Sequence, residues 1–237
     1  MSNFPLLSSL LWPLLVLSCL AFILAGLRTV LKKTGWDQRR QQNIFYGATA
    51  VIAGWVLLVT VLSVNHFFSN VRQLPPRPVV AMLLPLPVAL LIAYSKKGSR
   101  LIQSVPPQWL VFIQSFRIAV ELLLWLAFLA GRLPVQMNFE GRNFDVLTGL
   151  AALPAGYWLL KRKTGSRKII IVFNVMGILL LLNVLIIAAL SMPTPFRYFM
   201  NEPSTALLGL FPFILLPAVL VPMAYTMHIF SLRQLSK

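Results

Sequence analysis

Arg117 and Glu121 stand four residues apart in WLVFIQSFRIAVELLLWLAFLA, an apolar run from 109 to 130. At that spacing both side chains stack on one face of a helix. Gln114, three residues ahead of Arg117, joins the same stripe, and Trp125 continues it. A charge at the centre of a membrane-spanning helix costs about 2.5 to 3.5 kcal/mol on insertion scales, so such groups face the bundle interior or a wet cavity. In one reading Arg117 supplies a fixed positive charge, Glu121 neutralises it or carries a proton, and the protein binds or transports a small polar or anionic molecule. In the alternative, the two charges neutralise each other and only specify helix packing in a non-catalytic accessory or assembly protein. An enzyme, the third class, has only Glu121, Glu140, Asp145 or Glu202 to use as acid or base.

The chain has five acidic residues in all. Two of them, Glu140 and Asp145, flank Arg142 in MNFEGRNFDV, and PFRYFMNEPS carries Arg197 and Glu202. Asp145 or Asn143 is placed to cap the helix that follows, accepting from its free amides at the positive end of the dipole. Asn201 and Glu202 precede Pro203 in a pattern that suits a helix start. Two cross-links between the segments are expected, Glu140 with Arg197 and Arg142 with Glu202, and Phe139, Phe144, Phe196, Tyr198 and Phe199 suit an interfacial aromatic belt. The candidate substrate-binding set is therefore Gln114, Arg117, Glu121, Glu140, Arg142, Arg197 and Glu202.

The elements that must position these residues follow from composition. Hydrophobic residues make up 58% of the 237 positions and charged residues 11%, against about 25% charged in soluble domains. The chain reads as an all-α integral membrane protein, one transmembrane domain over 1–237. Seven apolar runs of roughly spanning length lie at about 6–27, 45–68, 79–94, 109–130, 146–160, 169–190 and 205–230. The fifth is short unless the preceding FEGRNFD dips into the membrane to complete it. The seventh holds Pro212, Pro217 and Pro222, so it is expected to bend or unwind, and to pack inside protein where neighbours satisfy the freed carbonyls.

Charge sets the orientation. Arg28, Lys32, Lys33, Arg39, Arg40, Lys96, Lys97, Arg100, Lys161, Arg162, Lys163, Arg167, Lys168, Arg233 and Lys237 fall on one side, and only Arg72, Arg77, Arg132, Arg142 and Arg197 on the other. Basic residues in short loops stay cytoplasmic, so the N-terminus is expected outside and the C-terminus in the cytoplasm, in the cell (plasma or inner) membrane. The net charge of +16 then serves anionic lipid headgroups at the cytoplasmic loops, and no nucleic-acid partner is expected.

Several assignments are excluded. MSNFPLLSSLLWPLLVLSCLA lacks the basic start of a cleaved signal, and its Cys19, the sole cysteine, allows no intramolecular disulfide. No lysine lies within the last apolar run to carry retinal, since Lys237 is at the tip. His66 and His228 fall at opposite depths for a haem, and with one cysteine they do not form a zinc set. No phosphate loop, serine elbow or CxxC occurs, and no cofactor is expected. Asn174 and Asn183, nine positions apart, point to opposite sides of one helix, so at most one faces Arg117.

Overall fold

Runs of Leu, Val, Ile and Phe without interior charge fold here as helices, because helix alone satisfies every backbone group within its own segment. The computed structural model describes residues 4–71, 73–161 and 166–236, so the basic residues Arg72, Arg162, Lys163 and Lys237 lie outside the described residues. Within the described residues ten α-helices follow in order: α1 Phe4–Lys33, α2 Gln38–Val64, α3 Arg77–Leu83, α4 Pro85–Tyr94, α5 Lys96–Ser104, α6 Pro107–Phe112, α7 Phe116–Leu129, α8 Val146–Lys161, α9 Ser166–Leu190 and α10 Val221–Gln234. Among the described residues there is no strand. Among the described residues five units are long and apolar enough to cross a membrane: α1, α2, α3 with α4, α6 with α7, and α9. These were five of the seven expected runs, and α8 is a shorter apolar helix.

The boundaries have local causes. Asp37 caps α2 by accepting from the Arg40 amide at 3.0 Å, and Ser95 caps α5 by accepting from Gly98 N at 2.9 Å. Pro85 and Pro87 interrupt α3–α4 without ending it, since Leu84 keeps right-handed helical angles. A single 3-10 turn over Ile113–Ser115 joins α6 to α7. On α8, a side chain at Gly149 would place Cβ 2.9 Å from the Ile118 amide nitrogen, and its absence lets α8 lie directly against α7.

The last expected run is the least regular. Residues 205–209 form a 3-10 turn, Leu216–Leu220 a π turn, and α10 begins only at Val221. Every residue from 212 to 224 is buried, as its prolines led one to expect. Pro222 has no N–H to give the carbonyl of Ala218 four residues back. Trp55 Nε1 of α2 donates to that carbonyl at 2.8 Å. The same segment forms the centre of the main core with Trp12, Val16, Leu124 and Leu181, drawn from α1, α7 and α9.

Candidate functional site

Arg117 is buried at the start of α7, and its partner is not the residue one turn along. Its Nη1 lies 2.6 Å from Oδ1 of Asp145 and donates to the carbonyl of Gly177 at 3.1 Å, while Nη2 is 3.2 Å from Nε2 of His228. The expected Arg117–Glu121 ion pair is thus replaced by Arg117–Asp145. Glu121 instead accepts from Asn143 Nδ2 at 2.7 Å through Oε1, and its Oε2 is buried without a partner. Both substitutes come from the connection before α8. The connection dips to bring Asn143 and Asp145 into the interior beside Glu121 and Arg117.

The dip is built from its own polar groups. Asn143 Nδ2 also donates to the Met137 carbonyl at 3.1 Å, and Asn143 Oδ1 accepts from the Asp145 amide at 3.0 Å. Asp145 was expected as a helix cap. Its carboxylate turns instead to Arg117 and to the Thr148 hydroxyl, 3.3 Å away. Gly177 is required where α9 passes, since a Cβ there would stand 2.5 Å from His228 Cε1 and 2.9 Å from Thr148 Cγ2.

The network continues beyond Arg117. A guanidinium only donates, so His228 Nε2 accepts and Nδ1 carries the ring proton, which it gives to Asn174 Oδ1 at 2.7 Å. Asn174 Nδ2 then donates to Ser231 Oγ at 2.8 Å and to the Ile170 carbonyl at 2.7 Å. Side chains from α7, α9, α10 and the dipping connection are joined in one chain of hydrogen bonds, from Glu121 to Ser231. Of the two asparagines on α9, Asn174 joins it. Asn183 donates to the Arg142 carbonyl at 2.8 Å.

A cavity of about 120 Å³ opens beside this centre, lined by Arg117, Glu121, Asp145 and otherwise almost wholly apolar side chains. Its wall runs from Met137, Met192 and Leu208, near the connections after α7 and α9, down to the three charged groups. Glu140, Arg142, Arg197 and Glu202, expected at a charged mouth, do not line it. Glu140 accepts from Trp125 Nε1 at 2.5 Å. Arg142 sits over the Phe199 ring, 5.3 Å from its centroid. Arg197 closes its own loop, donating to Glu202 and to the Asn201 carbonyl, both at 2.8 Å; that hydrogen bond from Arg197 holds the Glu202 carboxyl below the usual carboxylate range. Neither expected cross-link forms, and the two connections are tied instead by Arg142 on Phe199 and by paired amides, Gln136 with Asn201 at 2.9 and 3.1 Å. Gln114 is buried and donates to the Ala224 carbonyl of α10 at 3.1 Å.

Residues 75–236 match the family described as a domain of unknown function, DUF8737. The chain belongs to that family. No curated protein and no solved structure matches it. All the members of the polar network, from Arg117 to Ser231, lie inside the DUF8737 region, as does every residue lining the cavity. Helices α1 and α2 precede that region, so Trp55 satisfies the Ala218 carbonyl from outside it.

Sequence reasoning marked Arg117, Glu121 and Gln114 through their rarity in an apolar run, and passed over Asp145, Asn143, Gly177 and His228 as parts of the centre. One signal for the first two was present: a fifth span too short to cross alone, preceded by a polar segment able to descend.

Proposed function

We propose that this is a multi-pass protein of the cell membrane that binds, and passes across the bilayer, a small molecule held in the cavity beside Arg117 and Glu121. In this reading the chain is one domain that crosses seven times, α8 and the 205–234 segment completing the count, with the N-terminus outside and the C-terminus in the cytoplasm. Fifteen basic residues against five support that orientation under the retention of positive charge. The exposed Lys96, Lys97 and Arg100 of α5 then meet anionic lipid headgroups.

The observation that carries the reading is the meeting of an apolar cavity with a buried carboxylate whose second oxygen is unbonded. A group kept only for packing has every reason to be fully satisfied, because an unmet buried acceptor costs about 1 to 3 kcal/mol. Asp145 fixes the guanidinium, Glu121 offers its free oxygen to the occupant, and the π turn over Leu216–Leu220, which forms part of the cavity wall, is the element that yields. The accessory reading is favoured by the other half of the site, where Arg117 is met by three internal acceptors.

Accessibility separates the two. In a Cys19→Ala background, single cysteines at Val120, Val184, Leu208 and Leu220 are treated in sealed vesicles with N-ethylmaleimide and with a sulfonated, impermeant maleimide. A cavity that admits molecules reacts with at least one reagent, and one-sided reaction with the impermeant reagent identifies the face from which it opens. Failure of all four positions to react with either reagent, in folded protein, refutes the binding reading in favour of a sealed packing core.

A further inference from the structure

The cavity constrains what enters it. Its walls are supplied by side chains such as Val120, Leu124, Leu181, Val184 and Leu220, and polar atoms are confined to one end. An engineered apolar cavity of about 150 Å³ is known to stay dry and take up benzene, so about 120 Å³ suits a body of nearly one aromatic ring. At the polar end the guanidinium is committed: Nη1 to Asp145 and Gly177, Nη2 to His228. Of its five N–H donors that leaves Nε–H and one hydrogen on Nη2, and an anion drawn to them enters beside two carboxylates. Glu121 presents the opposite chemistry, since Asn143 engages only Oε1 and leaves Oε2 as a bare acceptor.

Resting on the binding reading above, we infer that the site takes a small amphiphile with an apolar body of about one ring and a hydrogen-bond-donating head, an amine or a hydroxyl, docked on Glu121 Oε2. The sequence alone had suggested a polar or anionic molecule. The relocation of Arg117's charge onto Asp145 is what moves the preference toward donors.

Methionines provide the readout. Met82, Met137 and Met192 line the cavity, whereas Met176, Met200 and Met227 do not. With ¹³C-methyl methionine in the full chain, in nanodiscs, the probes are benzylamine, benzyl alcohol, toluene and benzoate, which share one body and differ in the head. Saturable shifts confined to the cavity methyls are expected with benzylamine and benzyl alcohol, each at least about tenfold tighter than toluene, a ratio equal to about 1.4 kcal/mol. Benzoate is expected to leave those methyls unmoved. Glu121→Gln is expected to weaken benzylamine about tenfold while toluene is unchanged, and Val184→Phe, which fills the cavity and leaves Glu121 intact, to abolish all cavity shifts. The inference is overturned if benzoate binds in preference, if toluene binds as tightly as the amine, or if Glu121→Gln leaves the amine's affinity intact. It is equally overturned if no probe moves the cavity methyls; the reactivity of the cavity cysteines then tells whether the binding reading has fallen with it.

Discussion

Asp145→Ala is the sharpest test of the polar centre. The substitution removes the carboxylate 2.6 Å from Arg117 Nη1 and leaves a buried guanidinium with the Gly177 carbonyl and His228 Nε2 as its remaining acceptors. Breaking a buried ion pair by removing one partner costs about 3 to 5 kcal/mol. Two retained acceptors put this case at the lower end, about 3 kcal/mol, or roughly a 150-fold fall in the ratio of folded to unfolded protein. Unfolding by sodium dodecyl sulfate in mixed micelles, followed by fluorescence of the six tryptophans, measures that ratio. The double change Arg117→Met with Asp145→Leu removes both charges together and is expected to lie within about 1 kcal/mol of the natural protein, because apolar replacement of a whole buried pair is often neutral. A loss below about 1 kcal/mol for Asp145→Ala alone would refute the assignment of Asp145 as the counter-charge.

Three further outcomes are expected. Gly177→Ala sets a methyl 2.5 Å from His228 Cε1 and should destabilise by about 1 to 3 kcal/mol as an overpacked contact, with the His228 ring resonances displaced in NMR spectra. Trp55→Phe keeps the ring but removes the donor to Ala218 O, leaving a buried carbonyl unmet at a cost of about 1 to 3 kcal/mol, read in the same micelle titration. Glu202 has its carboxyl held low by Arg197, so its link to Arg197 is present at neutral pH and is lost only as the pH falls through that depressed value; a ¹³C titration of Glu202 should show a midpoint below the ordinary glutamate range, returning to it in Arg197→Gln.

The long helices were legible because length and apolar content decide them: α1, α2, α3–α4, α6–α7 and α9 stand where apolar runs stand. The centre was legible only in part. Arg117 and Glu121 announce themselves as charges in oil, but Asp145 sits where a helix cap is expected, and that ordinary explanation accounts for its position completely. His228 was misplaced for a different reason. Counted along a regular helix from 205, it lies 23 residues on, about 35 Å, at the far face of a bilayer. The 3-10 turn, the proline-rich stretch and the π turn delay α10 until Val221, which puts His228 level with Gly177 and Arg117. Linear spacing measures depth only where the backbone is regular, and three prolines removed that condition.

The dip before α8 makes the Arg117 site depend on residues that are synthesised after it. Synthesis runs from the N-terminus, so the Arg117 guanidinium leaves the ribosome 28 residues ahead of Asp145, 60 ahead of Gly177 and 111 ahead of His228. At about 5 to 20 residues per second, the last of these acceptors follows some 5 to 20 s later. Its counter-charge, Asp145, follows after about 1 to 6 s, so the ion pair precedes the contacts to Gly177 and His228, which wait for α9 and α10.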